Sequence, residues 1–463
     1  MPASRPRVAV VCALLVSSFV PAAGASAQEP DRSRLEAVAD SMAAAALAQP
    51  VTPGVSVAVA RSGEIVFARG YGHADVELDV PASPRTVYRI GSITKQFTAA
   101  LVMRLVEAGR LSLDDPLSRF LPDFPRGGEV TVRHLLNHTS GIKSYTGLDE
   151  ANWATIFRHD LTHDELIDLF DELPFDFEPG AEYRYNNSAY YLLGVVLERA
   201  AGEPYAEQVE GLAGDLGLDR TEYCGNAEII RGRAEGYRYE DGALRNAAFL
   251  SMEVPGAAGA LCSTVLDLVR WTHLLTTGRV VEPSSFEEMT TPAVLTTGDT
   301  TAYGYGLGLG ELEGHRKISH GGGINGFTSA MAHYPDRDLT IAVLTNAEGG
   351  QPARIEEALA RTALGLPLLV VKDLPLTDEE RSRYVGTYEL PDVDLELRVF
   401  VDGEQLMARA EGQSAFRLKY QGDDVFIASF DDRSRLVFDV EGDTATGFVL
   451  EQGGATLQAR RMD

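Results

Sequence analysis

Apolar and polar positions alternate along the chain in patterns that predict its secondary structure. Residues 55–60 and 65–68 have the composition and length of two strands, joined by a tight turn at residues 61–63. Residues 93–108 carry apolar side chains at helical spacing and predict a helix directly after this hairpin. After residue 300 the pattern predicts strands at 303–310, 317–323, 327–334 and 339–345, followed by a helix at 352–364.

Between these two groups of strands, the pattern from about residue 110 to 260 predicts mainly helices and loops. The strands before residue 70 and those after residue 300 therefore predict one antiparallel sheet flanked by helices. The helical segment is inserted between the two groups of strands that form this sheet. We expect this α+β domain to cover residues 28–365. A proline-bearing linker at 366–377 precedes residues 378–463, whose alternating runs and regular turn signals predict an all-β barrel of about eight strands.

The N-terminus has the features of a secretory signal peptide. Arg5 and Arg7 precede an apolar run at residues 8–23, and the small residues of Ala25-Ser26-Ala27 follow it. A membrane anchor is the alternative, but the run is short for a spanning helix. We expect cleavage after Ala27 and a periplasmic or secreted mature protein.

The amino-acid composition limits which classes of molecule are expected to bind the protein. The 463 residues include 68 acidic and 41 basic side chains, which give a formal net charge of −27. This acidity disfavours nucleic acid and anionic membranes as partners. No stretch beyond the N-terminal segment is apolar enough to predict a membrane span. The composition defines neither a substrate nor an oligomeric state.

Cysteine usage favours one disulfide. Of three cysteines, Cys12 lies in the predicted signal peptide, which leaves Cys224 and Cys262 in an oxidising compartment. The alternative is two buried free thiols. Neither cysteine has a nearby histidine, so the pair does not indicate a metal site.

The first candidate catalytic residues lie at the start of the helix predicted over residues 93–108. Side chains three residues apart on a helix share a face, so Lys95 Nζ can reach Ser92 Oγ. Burial lowers the pKa of a lysine and allows it to take the serine proton. The backbone N–H of Ser92 is unpaired in a first helical turn and can face an oxyanion.

The same spacing recurs at Ser140 and Lys143, but in a different local context. Gly141 follows the serine directly, and no apolar periodicity comes after it. In a loop this spacing does not bring the two groups together, so we interpret the second pair as structural.

Three later stretches carry further polar groups. Tyr185 and Asn187 lie two residues apart in a loop just before a predicted helix, where a packed tyrosine and a helix-capping asparagine are the alternative interpretation. His159 and His163, with adjacent aspartates, have a spacing that suits a metal, but no second ligand cluster exists. We therefore predict neither a metal nor a cofactor. The third stretch is His320 followed by three glycines, Gly321, Gly322 and Gly323.

In this order, Ser92-x-x-Lys95, Tyr185-x-Asn187 and His320-x-Gly322 resemble the motifs of the serine β-lactamase and penicillin-binding-protein superfamily. The match is nearest to the class C β-lactamase-like branch, which includes D-aminopeptidases and esterases. This resemblance extends over about residues 34 to 365, and the tail resembles a lipocalin-like barrel. It implies a β-lactamase/transpeptidase-like fold.

The resemblance also implies a role for each motif residue. Ser92 would be the nucleophile and Lys95 its base. Tyr185 would carry protons to the leaving group, and Asn187 would hold Lys95 and bind a substrate amide. These roles imply hydrolysis of amide or ester bonds through an acyl-enzyme.

One departure from the family pattern bears on the substrate. Relatives that act on penicillins usually carry lysine where His320 stands, and that cation faces a carboxylate. Histidine is largely neutral near pH 7, so we favour an aminopeptidase or esterase and expect His320 to titrate near pH 6 to 7 in the activity profile. Gly321 and Gly322 would lie against the substrate, and the Gly323 N–H would be a second oxyanion donor.

Small molecules or short peptides, including peptidoglycan fragments, are the expected substrates, with D-aminopeptidase, D-Ala carboxypeptidase or esterase activity. A class C-like β-lactamase and a non-catalytic protein that binds peptidoglycan fragments are the alternatives. Residues 320–323 also match the oxyanion loop of some α/β-hydrolases, but the G-x-S-x-G elbow of that fold is missing.

Overall fold

The computed structural model of the protein describes residues 32–148, 155–369, 371–393, 395–410, 415–429, 434–452 and 455–462. The predicted signal peptide, with Cys12 and the cleavage site after Ala27, lies outside these ranges.

A seven-stranded antiparallel sheet forms the centre of the first domain, in the order β3-β2-β1-β12-β11-β10-β9. Its strands are β1 (Gly54–Arg61), β2 (Glu64–Asp75), β3 (Val80–Pro81), β9 (Gly308–Leu312), β10 (His315–Ile324), β11 (Phe327–Tyr334) and β12 (Leu339–Thr345). Strand β1 pairs with β12 in register from Val55 opposite Thr345 to Arg61 opposite Leu339. The predicted sheet built from distant parts of the chain is therefore confirmed.

Helices of the first domain cover both faces of this sheet, and one further helix, α11, packs with the C-terminal strands. The helices are α1 (Arg32–Leu47), α2 (Thr94–Glu107), α3 (Val132–Leu136), α4 (His163–Ile167), α5 (Asn187–Ala201), α6 (Tyr205–Leu216), α7 (Gly256–Gly259), α8 (Val265–Thr276), α9 (Pro283–Met289), α10 (Pro352–Leu364) and α11 (Asp378–Tyr384). Val55, Val57 and Val59 of β1 pack with α1 and α10. Ala58 and Ala60 pack on the opposite face, in the core shared with α2 and the helical segment. Successive side chains of a strand point to opposite faces, so β1 is apolar at all but one of residues 55–60 because both of its faces are buried.

Short strands form two smaller sheets. In one, β4 (Tyr88–Arg89), which precedes α2, pairs with β8 (Leu261–Ser263), and β8 pairs with β5 (Glu222–Tyr223). In the other, β6 (Tyr237–Glu240) pairs with β7 (Ala243–Asn246).

The strand predicted over residues 303–310 is wrong in its first half, because β9 begins only at Gly308. Gly306 has a positive φ of 69°, which is incompatible with a strand. A Cβ atom there would lie 2.5 Å from the carbonyl oxygen of Lys95. Gly306 therefore lets this segment lie directly against the start of α2.

The C-terminal strands close into the predicted eight-stranded barrel. They are β13 (Gly386–Leu390), β14 (Leu395–Asp402), β15 (Gln405–Ala410), β16 (Phe416–Gly422), β17 (Val425–Ala428), β18 (Arg435–Glu441), β19 (Thr444–Gln452) and β20 (Ala455–Arg461). Aromatic side chains fill the core, and Tyr384 of α11 packs among them while its hydroxyl donates to Asp424 at 2.6 Å.

The structure contains the predicted disulfide between Cys224 and Cys262, whose Cα atoms are 5.1 Å apart. Cys262 lies in β8, and Cys224 directly follows β5. The bond therefore joins neighbouring strands inside a buried apolar cluster.

Removing this disulfide is expected to lower the free energy of unfolding by roughly 3 to 4 kcal/mol, because the unfolded chain would regain the entropy of a loop of this length. Urea unfolding of the wild type and of the Cys224→Ala/Cys262→Ala variant measures the difference. Two free thiols, found by mass spectrometry of the wild type under non-reducing, denaturing conditions, would contradict the assignment.

Candidate active site

Ser92 lies in a tight 3-10 turn, Gly91–Ile93, that leads directly into α2. Gly91 has a positive φ of 52°, and a Cβ atom there would lie 2.9 Å from the backbone nitrogen of Gly323. Only glycine therefore allows the turn to approach β10 so closely. Phe97 and Leu101, from the apolar stripe of α2, are buried in the core and hold the helix in place.

Lys95 is fully buried and makes three hydrogen-bonding contacts. Its Nζ lies 3.1 Å from Ser92 Oγ, 2.8 Å from Asn187 Oδ1 and 2.8 Å from the carbonyl oxygen of Ala258. A neutral amine has two N–H donors and one lone pair. Because the amide and carbonyl oxygens can only accept, the two donors satisfy them and the lone pair is left facing the Ser92 hydroxyl.

The surroundings of Lys95 favour this neutral form. Burial lowers the pKa of Lys95 well below its usual value. Its Nζ contacts no carboxylate among the described residues, and it lies 4.8 Å from the centre of the Tyr185 ring and 5.4 Å from that of Tyr190. The arrangement can therefore take a proton from Ser92 near neutral pH.

Tyr185 lies in the irregular segment that precedes α5, and 37% of its surface is exposed. Loss of hydration raises the pKa of its phenol, and an interaction with the Ser92 hydroxyl opposes the rise. The phenol is therefore protonated at neutral pH and can give a proton to a group beside Ser92.

Asn187 is the first residue of α5, while its neighbour Asn186 is the N-cap, accepting the N–H of Ala189 at 2.9 Å. The Asn187 Nδ2 donates to Thr146 Oγ1 at 3.1 Å, and its backbone N–H donates to Ser144 Oγ at 3.2 Å. These contacts turn the amide oxygen toward Lys95. Sequence reasoning missed both hydroxyls, which carry no signal in the local pattern because a distant loop supplies them.

The glycines of β10 pack against the turn that carries Ser92. A Cβ atom on Gly322 would lie 2.0 Å from the Ile90 carbonyl oxygen. Gly323 lines a cavity of about 210 Å³ together with Ser92 and Asn187. Gly321 precedes them in the same strand. The strand therefore brings a backbone N–H, that of Gly323, to the side of the Ser92 turn.

Both ring nitrogens of His320 form hydrogen bonds within the protein. Nδ1 donates to the carbonyl oxygen of Gly321 at 2.6 Å, so Nε2 is the acceptor for the Tyr303 hydroxyl at 2.8 Å. Burial lowers the pKa of His320 to about 4, and the nearby Lys95 charge adds to the shift. The expected titration near pH 6 to 7 is therefore wrong for this residue. Tyr303, which sequence reasoning placed in a strand, is its partner.

Replacing His320 by lysine is expected to reduce turnover of neutral substrates by about 10²-fold. A lysine cannot accept the hydrogen bond of Tyr303, and its charge would lie near Lys95. Steady-state rates on neutral amides and on carboxylate-bearing substrates measure the effect. Equal or improved turnover of neutral amides would contradict the prediction.

The second serine–lysine pair is not joined in the structure. Lys143 forms an ion pair with Asp176, and Ser140 Oγ accepts the N–H of Ile142 at 3.4 Å. Of His159 and His163, whose spacing suits a metal but for which we predict none, His163 forms hydrogen bonds with Tyr191 and Glu198. The described residues include no group of three or more His, Cys, Asp or Glu side chains suited to a metal ion, and no helix among them could cross a membrane.

Comparison with known proteins identifies the family. A family model described as Beta-lactamase matches residues 39–365, and a domain of unknown function, DUF3471, matches residues 375–460. Penicillin-binding protein 4* of Bacillus subtilis is 29% identical over 436 residues, which cover 88% of this chain and 94% of that protein. A D-aminopeptidase of Gluconobacter oxydans is 27% identical and covers 75% of this chain and 65% of its own length.

Solved structures agree with this result. The D-stereospecific amidohydrolase from a Streptomyces species superposes with a TM-score of 0.61 at 30% identity, covering 72% of this chain and 98% of its own. The β-lactamase match extends over more than half of the chain, and the relatives include enzymes that hydrolyse amides. The chain therefore belongs to the β-lactamase and penicillin-binding-protein superfamily of serine hydrolases.

Proposed function

We propose that the protein is an exported serine hydrolase that cleaves amide or ester bonds of small, neutral substrates through an acyl-enzyme on Ser92. The observation that carries this proposal is the contact of 3.1 Å between Ser92 Oγ and the buried Nζ of Lys95. A serine hydroxyl is a poor nucleophile until an adjacent base takes its proton.

In the proposed reaction, the Ser92 proton moves to Lys95 Nζ as Oγ forms a bond to the substrate carbonyl carbon. The carbonyl electron pair becomes an oxyanion, which the backbone N–H groups of Ser92 and Gly323 stabilise. The carbon–nitrogen bond of an amide then breaks as Tyr185 passes a proton to the leaving nitrogen and takes the proton held by Lys95 in its place, so that Lys95 is neutral again. Water then attacks the acyl carbon and gives a proton to neutral Lys95. The bond from this carbon to Ser92 Oγ breaks, the proton on Lys95 passes to Oγ, and the acid product is released.

The cavity beside Ser92 supports a neutral, apolar acyl group. Among the described residues, its lining includes Tyr145, Leu250, Val254 and Ile324 and no charged side chain. His320, whose position would have to attract a substrate carboxylate, is neutral and already hydrogen-bonded. This favours amides and esters over penicillins and D-Ala-terminated peptides. D-Aminopeptidase is the activity named for one relative, and we propose amides of apolar D-amino acids as the first candidates.

A substrate panel tests the proposal. We expect amides of apolar D-amino acids and short-chain esters to be hydrolysed with a higher kcat/KM than a cephalosporin or a muropeptide. A preference for the cephalosporin would instead favour the class C-like β-lactamase. Binding of a muropeptide, with no hydrolysis and no labelling by a fluorescent acyl-serine probe, would favour the non-catalytic alternative.

Export is a separate part of the proposal. The charged, apolar and small-residue segments of residues 1–27 support it, as does the disulfide between Cys224 and Cys262. We expect mature protein recovered outside the cytoplasm to begin at Gln28. An unprocessed N-terminus in that fraction would contradict cleavage after Ala27.

A further inference from the structure

His138 occupies an unusual position two residues beyond the end of α3. Only 1% of its surface is exposed, and its backbone adopts a left-handed conformation with φ of 62°. Residues other than glycine rarely adopt this conformation, and it persists where the surrounding structure enforces it. The residue is therefore held in place by contacts beyond its own turn.

Two of those contacts bind the chain on either side of Tyr185. The backbone N–H of Arg184 donates to the His138 carbonyl oxygen at 3.0 Å, and the N–H of Asn186 donates to His138 Nδ1 at 3.1 Å. The His138 ring also packs against the Tyr185 ring, with 4.4 Å between the ring centres. One histidine thus contacts the tyrosine and both of its neighbours.

This matters because the tyrosine lies in a segment without regular structure. Residues 182–186 belong to no helix or strand, so no ladder of backbone hydrogen bonds fixes them. The contacts with His138 therefore hold this segment in place without the hydrogen bonds of a helix or strand. Loss of these contacts would let the Tyr185 phenol move relative to Ser92 and Lys95.

The hydrogen bonds also define the state of the His138 ring. Because Nδ1 accepts the N–H of Asn186, it is unprotonated, and the proton of the neutral ring is on Nε2. That buried nitrogen has no hydrogen-bond partner among the described residues. Burial lowers the pKa of His138 well below its usual value, and charge on Lys95 adds to the shift. A neutral ring keeps the acceptor available.

We propose that His138 is a positioning residue that holds the Tyr185 phenol at the Ser92 and Lys95 pair. The inference rests on the proposed proton-transfer role of Tyr185 and assigns His138 no contact with the substrate.

A double-mutant cycle tests the inference. His138→Ala is expected to lower kcat by about 10²-fold, the scale of a misplaced catalytic group, with little change in KM. In the Tyr185→Phe background the same substitution should have almost no further effect, because no phenolic proton donor is left to position. A loss of equal size in both backgrounds would overturn the proposal.

His138→Asn provides a rescue test. Asparagine tolerates the left-handed conformation, and its Oδ1 can accept the Asn186 N–H in place of Nδ1. We expect this variant to retain kcat within about tenfold of the wild type and well above that of His138→Ala. Should His138→Ala fail to fold, the cycle is run with His138→Gly, which removes the ring but adopts the left-handed conformation freely, and a loss of equal size in both backgrounds again overturns the proposal.

His134→Ala is the matched control. This histidine lies four residues earlier, where its Nδ1 accepts the Thr131 N–H at 3.3 Å in the cap of α3. Its loss should lower the unfolding temperature but leave kcat unchanged below that temperature. If Tyr185→Phe itself leaves kcat unchanged, the proposed role of the tyrosine fails. If it lowers kcat but the cycle is additive, only the positioning role fails.

Discussion

Replacement of Ser92 by alanine is expected to lower kcat/KM by roughly 10⁴-fold or more, because the acyl-enzyme can no longer form. The same change should abolish labelling by a fluorescent acyl-serine probe. The physical basis is the contact of Ser92 Oγ with Lys95 Nζ, which no other serine–lysine pair at this spacing shares in the described part of the chain. Stopped-flow or steady-state rates and gel fluorescence measure the two effects.

Ser140→Ala is the control for this prediction. Ser140 is buried, but the lysine three residues later is paired with Asp176. Both rate and labelling should therefore be largely retained in this variant. Labelling that survives Ser92→Ala but is lost in Ser140→Ala would reverse the assignment of the nucleophile.

Replacement of Lys95 by methionine is expected to lower kcat/KM by about 10³-fold, because the Ser92 proton loses its acceptor. In the wild type, activity should fall as the pH drops below the lowered pKa of Lys95, since only the neutral amine accepts the proton. This fall in activity at low pH, the acid limb of the pH profile, should be absent from the residual activity of the Lys95→Met variant. Rates measured over a range of pH, with protein that remains folded throughout, test both points.

Stability provides a second readout for Lys95. Its pKa is lower in the folded protein than in the unfolded chain, so the unfolded state binds more protons between those two values. The free energy of unfolding should therefore rise with pH across this window, by up to about 1.4 kcal/mol per pH unit, until the pH passes about 10.4. The Lys95→Met variant should lack this component, which urea unfolding at several pH values would measure.

Lys143→Met is the matched control. Its ammonium group pairs with Asp176 and is 44% exposed, so the variant should retain the acid limb and the pH-dependent stability assigned to Lys95. An acid limb that persists unchanged in Lys95→Met would show that another group accepts the Ser92 proton.

Much of the fold could be predicted because its signals are local. The apolar run of β1 and the tight turn after it, the spacing of apolar residues in α2 and the turn residues of the barrel each depend on a few neighbouring positions. The segment 303–306 was mispredicted because Gly306 lies against α2 and Gly304 against the end of α9, both far away in sequence, and these glycines do not belong to a strand.

By itself, the sequence determined that Ser92 and Lys95 face the same way, since the helix repeat places residues three apart on one side wherever the helix lies. The sequence also distinguished this pair from Ser140 and Lys143, because the loop that carries the second pair lacks helical periodicity. Only the tertiary structure decided the protonation states. The pKa values of Lys95 and His320 fall because distant segments exclude water from them, and pKa depends on that burial and on neighbouring charges, which no local spacing encodes.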